Sequence, residues 1–140
     1  MAKKKKVTVS TVKKKLDAVY SRYIRLKDSF MVDGELNCTC VTCGATSPVK
    51  KMQCGHFMSR KYNATRFHAK NTHVQCLRCN MFDQGAQYEH YKFIDKKYGE
   101  GSSEEICTLS RQEKKWKVQE LEEMLAYYKV KVSQLEPDAS

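Results

Sequence analysis

No apolar run in this chain approaches the ~20 residues that a membrane-spanning helix needs. The N-terminus carries no apolar core of the kind a secretory signal requires. An even cysteine set is missing too: there are seven, four of them in two C-x-x-C pairs, which is poor material for a secreted disulfide scaffold. Thiolates that bind metal want a reducing compartment, so the expected location is the cytoplasm. Acidic residues are scarce, with 16 Asp and Glu against 26 Lys and Arg and a formal charge of +10. Such a surplus favours a polyanionic partner, most often nucleic acid, over a basic surface that only aids solubility. No internal repeat is present, and the only low-complexity tract is the lysine run Lys3–Lys6. A length of 140 residues suits one small domain with appendages, whose modest core a metal staple would help.

Residues 1–9 read as a flexible basic arm that grips phosphate. From Thr11 the pattern turns helical, with Ser10 as N-cap and Val12, Leu16, Val19, Tyr23, Leu26 and Phe30 forming one stripe. Lys13, Lys14 and Lys15 fall in its first turn, where they oppose the helix dipole, an arrangement that suits a phosphate contact. Asp33-Gly34 breaks the helix. A strand is expected to end at His56, an exposed loop to run from Ser59 to Lys70, and a short return strand to span Thr72 to Gln75. Helical character resumes at Asn80, is interrupted at Gly85, and continues through Tyr88, Tyr91, Ile94 and Tyr98 to a stop at Gly99. Residues 10–99 thus make a core, and 100–140 a linker with a long helix from about Arg111 to Glu136, stopped by Pro137. Ser102 with Glu105 and Ser110 with Glu113 fit capping boxes. Val118, Leu121, Leu125, Tyr128, Val132 and Leu135 form a heptad seam that either packs on the N-terminal helix or joins two copies of the chain.

The chemistry-bearing residues cluster between 40 and 83. Cys40, Cys43, Cys76 and Cys79 supply four thiolates, the donor set of a closed, structural Zn²⁺ site. Cys38 is an alternative ligand, whereas Cys54 and Cys107 read as buried free thiols. The 32 residues between the pairs, 44 to 75, exceed a short zinc-ribbon spacer, so something is inserted. Within that insert stands His56, an imidazole able to take a proton from water near neutral pH. Asn80 follows the last zinc cysteine and offers an amide oxygen to Mg²⁺ or Mn²⁺. Asp83, one helical turn on, offers a carboxylate. Asn71 is placed to brace the loop by hydrogen bonds to backbone. Arg60 and Arg66 are candidate phosphate clamps.

The set Cys-x-x-Cys, Gly55-His56, Asn71, Cys-x-x-Cys-Asn80 resembles the HNH, or His-Me finger, endonucleases with a zinc-stabilised ββα-metal core. Cys54-Gly-His-Phe57, Arg66-Phe67, Asn71-x-His73-x-Gln75-Cys76 and Gly85 followed by Tyr88 to Gly99 look like the NinG (Rap) recombination nucleases of lambdoid phages, over roughly residues 11–100. The resemblance implies an α+β fold: a small zinc-bound core flanked by an N-terminal and a long C-terminal helix. It implies His56 as general base, Asn71 as the loop-orienting residue, and Asn80 as a metal ligand with Asp83 beside it. Many HNH enzymes carry Asp or His just before the base. Here that place is Gly55, so either Asp83, His73 or water completes a Mg²⁺ or Mn²⁺ site, or substrate phosphate mainly holds the ion. The implied activity is metal-dependent hydrolysis of phosphodiester bonds in branched DNA such as D-loops and Holliday junctions, in the cytoplasm of a phage host. Cutting a junction symmetrically needs two active sites, and the Val118 to Leu135 seam offers a homodimer. The alternatives are a non-catalytic zinc-containing DNA-binding accessory or regulatory protein, and an HNH nicking enzyme acting on linear duplex.

Overall fold

The structure, a computed structural model, describes residues 6–137. Most of the expected basic arm over 1–9 therefore lies outside the described residues. Chain order is α1 (Val9–Leu26), β1 (Phe30–Val32), β2 (Glu35–Thr39), β3 (Thr46–Pro48), β4 (Gln53–His56), β5 (Thr72–Gln75), α2 (Gln87–Tyr98), α3 (Ser102–Ser110) and α4 (Val118–Leu135). The protein is a mixed α+β fold with two small antiparallel sheets, ordered β1-β2-β3 and β4-β5. No helix among the described residues is long and apolar enough to cross a membrane.

Helix α1 begins earlier than Ser10 predicts. Thr8 caps it and exchanges side-chain and backbone bonds with Thr11, a capping box built from two threonines. Its buried stripe is Val12, Leu16, Tyr20, Ile24 and Leu26, so Val19 and Tyr23 stand at its margin and Phe30 has left the helix for β1. Tyr20 wins the central place because its hydroxyl finds a partner inside, the Oγ1 of Thr72 at 2.7 Å. Asp33 and Gly34, both at positive φ, make the two-residue turn of the β1–β2 hairpin.

The expected long C-terminal helix is shorter than its pattern. Residues 111–117 are irregular, and α4 starts only at Val118. Trp116 explains the delay: its ring packs edge-on against Phe67 at 5.8 Å, while the carbonyl of Lys114 accepts from Asn63. Anchoring this segment to the 59–70 loop overrides its helix propensity. From there α4 lays its seam against α1, with Leu121 fully buried and Tyr128 between Tyr20 and Tyr23. A fully buried leucine contributes roughly 1.5–3 kcal/mol, so the seam is a substantial part of the core. The two serine boxes also fail. Ser102 lies inside α3, whose first turn is capped by Asp95 accepting from the Ser103 amide. Ser110 ends that helix and donates to Cys107.

Candidate functional site

The four-cysteine cluster is built where the two sheets meet. Cys40 follows β2, Cys43 sits in the turn after it, Cys76 follows β5, and Cys79 lies on the next helical turn. A bond from Val41 N to Val74 O, 2.9 Å, ties the two sides together. All four sulfurs lie within 4.8 Å of one another, and Cys43 Sγ is 3.7 Å from Cys76 Sγ. A tetrahedral zinc with Zn–S bonds near 2.3 Å sets sulfurs about 3.8 Å apart, so the arrangement fits. Cys38 is buried on β2 and outside the cluster. Cys54 is half-buried on β4 and also outside the cluster; desolvation of its thiol pushes the pKa up to about 12, which keeps it neutral.

After Leu77 the chain makes one wide turn, Arg78–Phe82, closed by Asp83 N donating to Arg78 O at 2.8 Å, a five-residue spacing. This turn decides which side chains meet. Asn80 faces His56: both line a cleft of about 510 Å³ with Asp17, Gln53 and Arg60. Asp83 does not reach that cleft. It is exposed, 3.8 Å from Arg78, beside Cys43 and Cys79 at another concavity. The i, i+3 neighbour rule holds for an α-helical turn, and this turn is wider.

His56 ends β4. Its Nε2 lies 2.9 Å from the carbonyl of Arg66. A carbonyl only accepts, so Nε2 carries the proton and Nδ1 keeps its lone pair. Burial holds the imidazole below its ordinary pKa, which keeps it neutral at pH 7. Asn71, fully buried, accepts from Met58 N at 2.7 Å and donates to the carbonyls of Met58 and Thr65, each at 3.0 Å. It thus fastens both ends of the loop that carries Arg66.

Arg66 is not a free phosphate clamp. Its guanidinium grips both carboxylate oxygens of Asp17 and donates to Arg60 O at 2.6 Å. Through this pairing α1 positions the very residue whose carbonyl orients His56. Sequence reasoning missed Asp17, since one carboxylate on a charged helix resembles any solvated surface residue. Arg60 remains exposed. Lys13 donates to Asn63 at 3.1 Å, whereas Lys14 and Lys15 are exposed. Lys13 and Lys14 line a second concavity with Lys61 and Arg66; it shares Asp17 and Arg60 with the His56 cleft, while Lys15 lies outside both.

Gly55 pairs with His73 across the hairpin. A Cβ at Gly55 would come within 1.9 Å of Gln75 Oε1, so any side chain there would have to displace Gln75, which is buried and bonded to the Gly85 carbonyl. His73 is no substitute. It is buried, and its ring nitrogens contact His90 Nε2 at 2.9 Å and Tyr98 Oη at 2.8 Å. His90 Nδ1 has no partner, and a bare lone pair is cheaper there than a bare N–H, so His90 donates to His73, which donates to Tyr98. Burial pushes His90 down to about 4 and lowers His73 as well. Unfolded histidine titrates near 6.5. Above that pH both states are neutral and the network is intact. As the pH falls below it, the unfolded chain takes up protons that the fold refuses, until His90 itself titrates. Urea unfolding of the zinc-loaded protein should therefore show stability falling between pH 7.5 and pH 5.0 by about 2 kcal/mol more in wild type than in His90→Gln. Equal losses would sink this account.

The fold and site thus define a small α+β protein with a four-cysteine cluster suited to a structural metal such as zinc, and a neutral histidine held in a polar cleft. Compared with known families, residues 1–138 match the model described as Bacteriophage Lambda NinG protein, and the chain belongs to the NinG family. No curated protein and no solved structure matches.

Proposed function

We propose that this protein is a metal-dependent endonuclease of the HNH type that hydrolyses phosphodiester bonds in branched DNA such as D-loops and Holliday junctions. The observation that carries the proposal is His56. It is neutral, with Nε2–H pinned on a carbonyl and Nδ1 left as a base, in a cleft shared with Asn80 and the cationic Arg60. The antiparallel β4–β5 pair followed by the helical turn that bears Asn80 agrees with a ββα-metal core. Membership of the NinG family and the +10 charge support a DNA substrate.

In the proposed chemistry His56 Nδ1 takes a proton from water, and the hydroxide attacks phosphorus in line. The bond from phosphorus to the 3′ oxygen breaks, and that oxygen is protonated by solvent. The products carry 5′-phosphate and 3′-hydroxyl ends. The cleft's donors suit a hard cation. Asn80 spends its amide N–H on Gln53 at 2.6 Å, which leaves Oδ1 without a protein donor among the described residues, and Asp17 lines the same cleft. Asn80 Oδ1 would hold Mg²⁺ or Mn²⁺ together with substrate phosphate, while Asp17, paired with Arg66, borders the cleft. When bound, the ion supplies charge stabilisation at the phosphate oxygens. Asn71 and Arg66 act as positioning residues. Symmetric cutting of a four-way junction needs two sites, so a homodimer is part of the proposal. Because α1 covers the α4 seam, the two copies would join through another face.

Incubation with a four-way junction, a D-loop and linear duplex, with and without Mg²⁺ or Mn²⁺, tests this. Cleavage of the branched substrates that requires the added ion is expected. Binding without cleavage would overturn it in favour of a DNA-binding zinc protein, and equal cutting of linear duplex in favour of a general nicking enzyme.

A further inference from the structure

The wide turn Arg78–Phe82, which carries the fourth cysteine, has a second property. It presents Met81 and Phe82 to solvent, 61% and 75% exposed, directly after Asn80. Met81 lines the His56 cleft. Large apolar side chains this exposed beside a polar cleft on a chain of +10 charge need a reason. The turn that carries them is also held firmly. Cys79, a cluster cysteine, is its second residue, and its carbonyl accepts from Gly85 N at 2.8 Å. The chain then leaves through three successive residues at positive φ, Gln84, Gly85 and Ala86. Two of these are not glycine, a conformation that persists only where the surroundings enforce it. Gln75 helps, donating to Gly85 O at 2.8 Å.

We infer that Met81 and Phe82 form a wedge that stacks against unpaired or splayed bases at a DNA branch point, placing the adjoining phosphate over His56. This rests on the nuclease reading above and names what that site selects. Charge chooses nucleic acid over a protein partner. Lys14, Arg60 and Lys61 line the concavity next to the cleft, and Arg60 lines both, so a phosphate chain held there passes the turn. Apolar side chains inserted at a base step are a recurrent device of proteins that kink DNA. An intact duplex hides its base faces by stacking, whereas a branch point offers them with little further unstacking. A rigid, metal-anchored wedge therefore distinguishes branched from linear DNA with no contact to a specific base.

The test uses the full zinc-loaded chain with no added Mg²⁺ or Mn²⁺, so that it reads binding alone, and a four-way junction carrying 2-aminopurine at the branch. Wild type should raise the 2-aminopurine fluorescence, which reports loss of stacking or a changed stack. Phe82→Ala and Met81→Ala should bind linear duplex as wild type does, lose the fluorescence change, and bind the junction about tenfold more weakly. Phe82→Trp should restore both. The inference is overturned if the alanine variants keep the signal and the junction preference, or if they instead abolish self-association in sedimentation, which would make the pair a contact between two copies. Cleavage plays no part in the readout. A wedge that fails in an enzyme that cuts, and a wedge that works in a protein that does not, are thus separate results.

Discussion

Cys79→Ser should cost the protein its bound zinc and most of its cooperative fold, while Cys38→Ser should cost neither. Both thiols are buried, so burial alone predicts similar damage. Only Cys79 belongs to the cluster in which four sulfurs approach within 4.8 Å. That cluster is the junction between the β1-β2-β3 sheet and the β4-β5 pair, and it starts the turn that carries Asn80. Apparent binding energies of structural zinc sites run to about 10–16 kcal/mol, comparable with or larger than the ~5–15 kcal/mol net stability of a whole domain. Losing one ligand should therefore lower the melting temperature by more than about 15 °C, or remove the transition altogether. A buried serine at position 38, outside the cluster, should cost about 1–3 kcal/mol and keep one zinc per chain. Metal analysis beside thermal denaturation of both variants decides the matter. Equal zinc content and equal melting would show that the cluster is not what holds the two sheets together.

The parts of this fold that were legible in the sequence are those fixed locally. The two C-x-x-C pairs do come together as one four-sulfur cluster, β5 spans the expected Thr72–Gln75, and Gly99 stops α2 at positive φ; Asp33-Gly34, read only as a helix break, turns a hairpin instead. What was illegible depends on contacts distant in sequence. Tyr20 displaced Val19 and Tyr23 from the centre of the α1 stripe because Thr72 lies opposite its hydroxyl. Trp116 held back the start of α4 because Phe67 lies beneath it. Nothing in the spacing of α2 singled out His90, yet it is fully buried against His73. The candidate site divides the same way. His56 and Asn80 come together, and Asn71 braces the loop as its type and place suggested. Which carboxylate shares the cleft with His56 was not legible, because a π-type turn is not encoded by any simple pattern. Asp83 therefore looked like a neighbour of Asn80, and Asp17, 63 residues earlier in the chain, did not.

His56→Ala should lower the cleavage rate by about 10² to 10⁴, the usual worth of a positioned general base, while leaving DNA affinity and fold nearly unchanged. The fold is expected to survive because the ring is only half-buried and makes one polar contact, to the Arg66 carbonyl, which solvent can replace. Affinity is expected to survive because the cationic groups near it, Arg60 and Lys14 foremost, are untouched. The pH profile supplies the sharper half of the test. In the proposed chemistry the base acts through a neutral Nδ1, so protonation would stop it. Burial disfavours the charged ring and sets its pKa below the ordinary value near 6.5. Cleavage by wild type, followed as kcat/KM at fixed Mg²⁺, should accordingly climb tenfold per pH unit on the acid side and level off before neutrality. His56→Ala should lose that acid limb together with the rate. Measurements on the acid side must stop short of the range in which zinc is released, since thiolate protonation would imitate the loss. A variant that cuts at the wild-type rate, or one that is slow but keeps the same acid limb, would remove His56 from the chemistry and leave the cleft with a binding role alone.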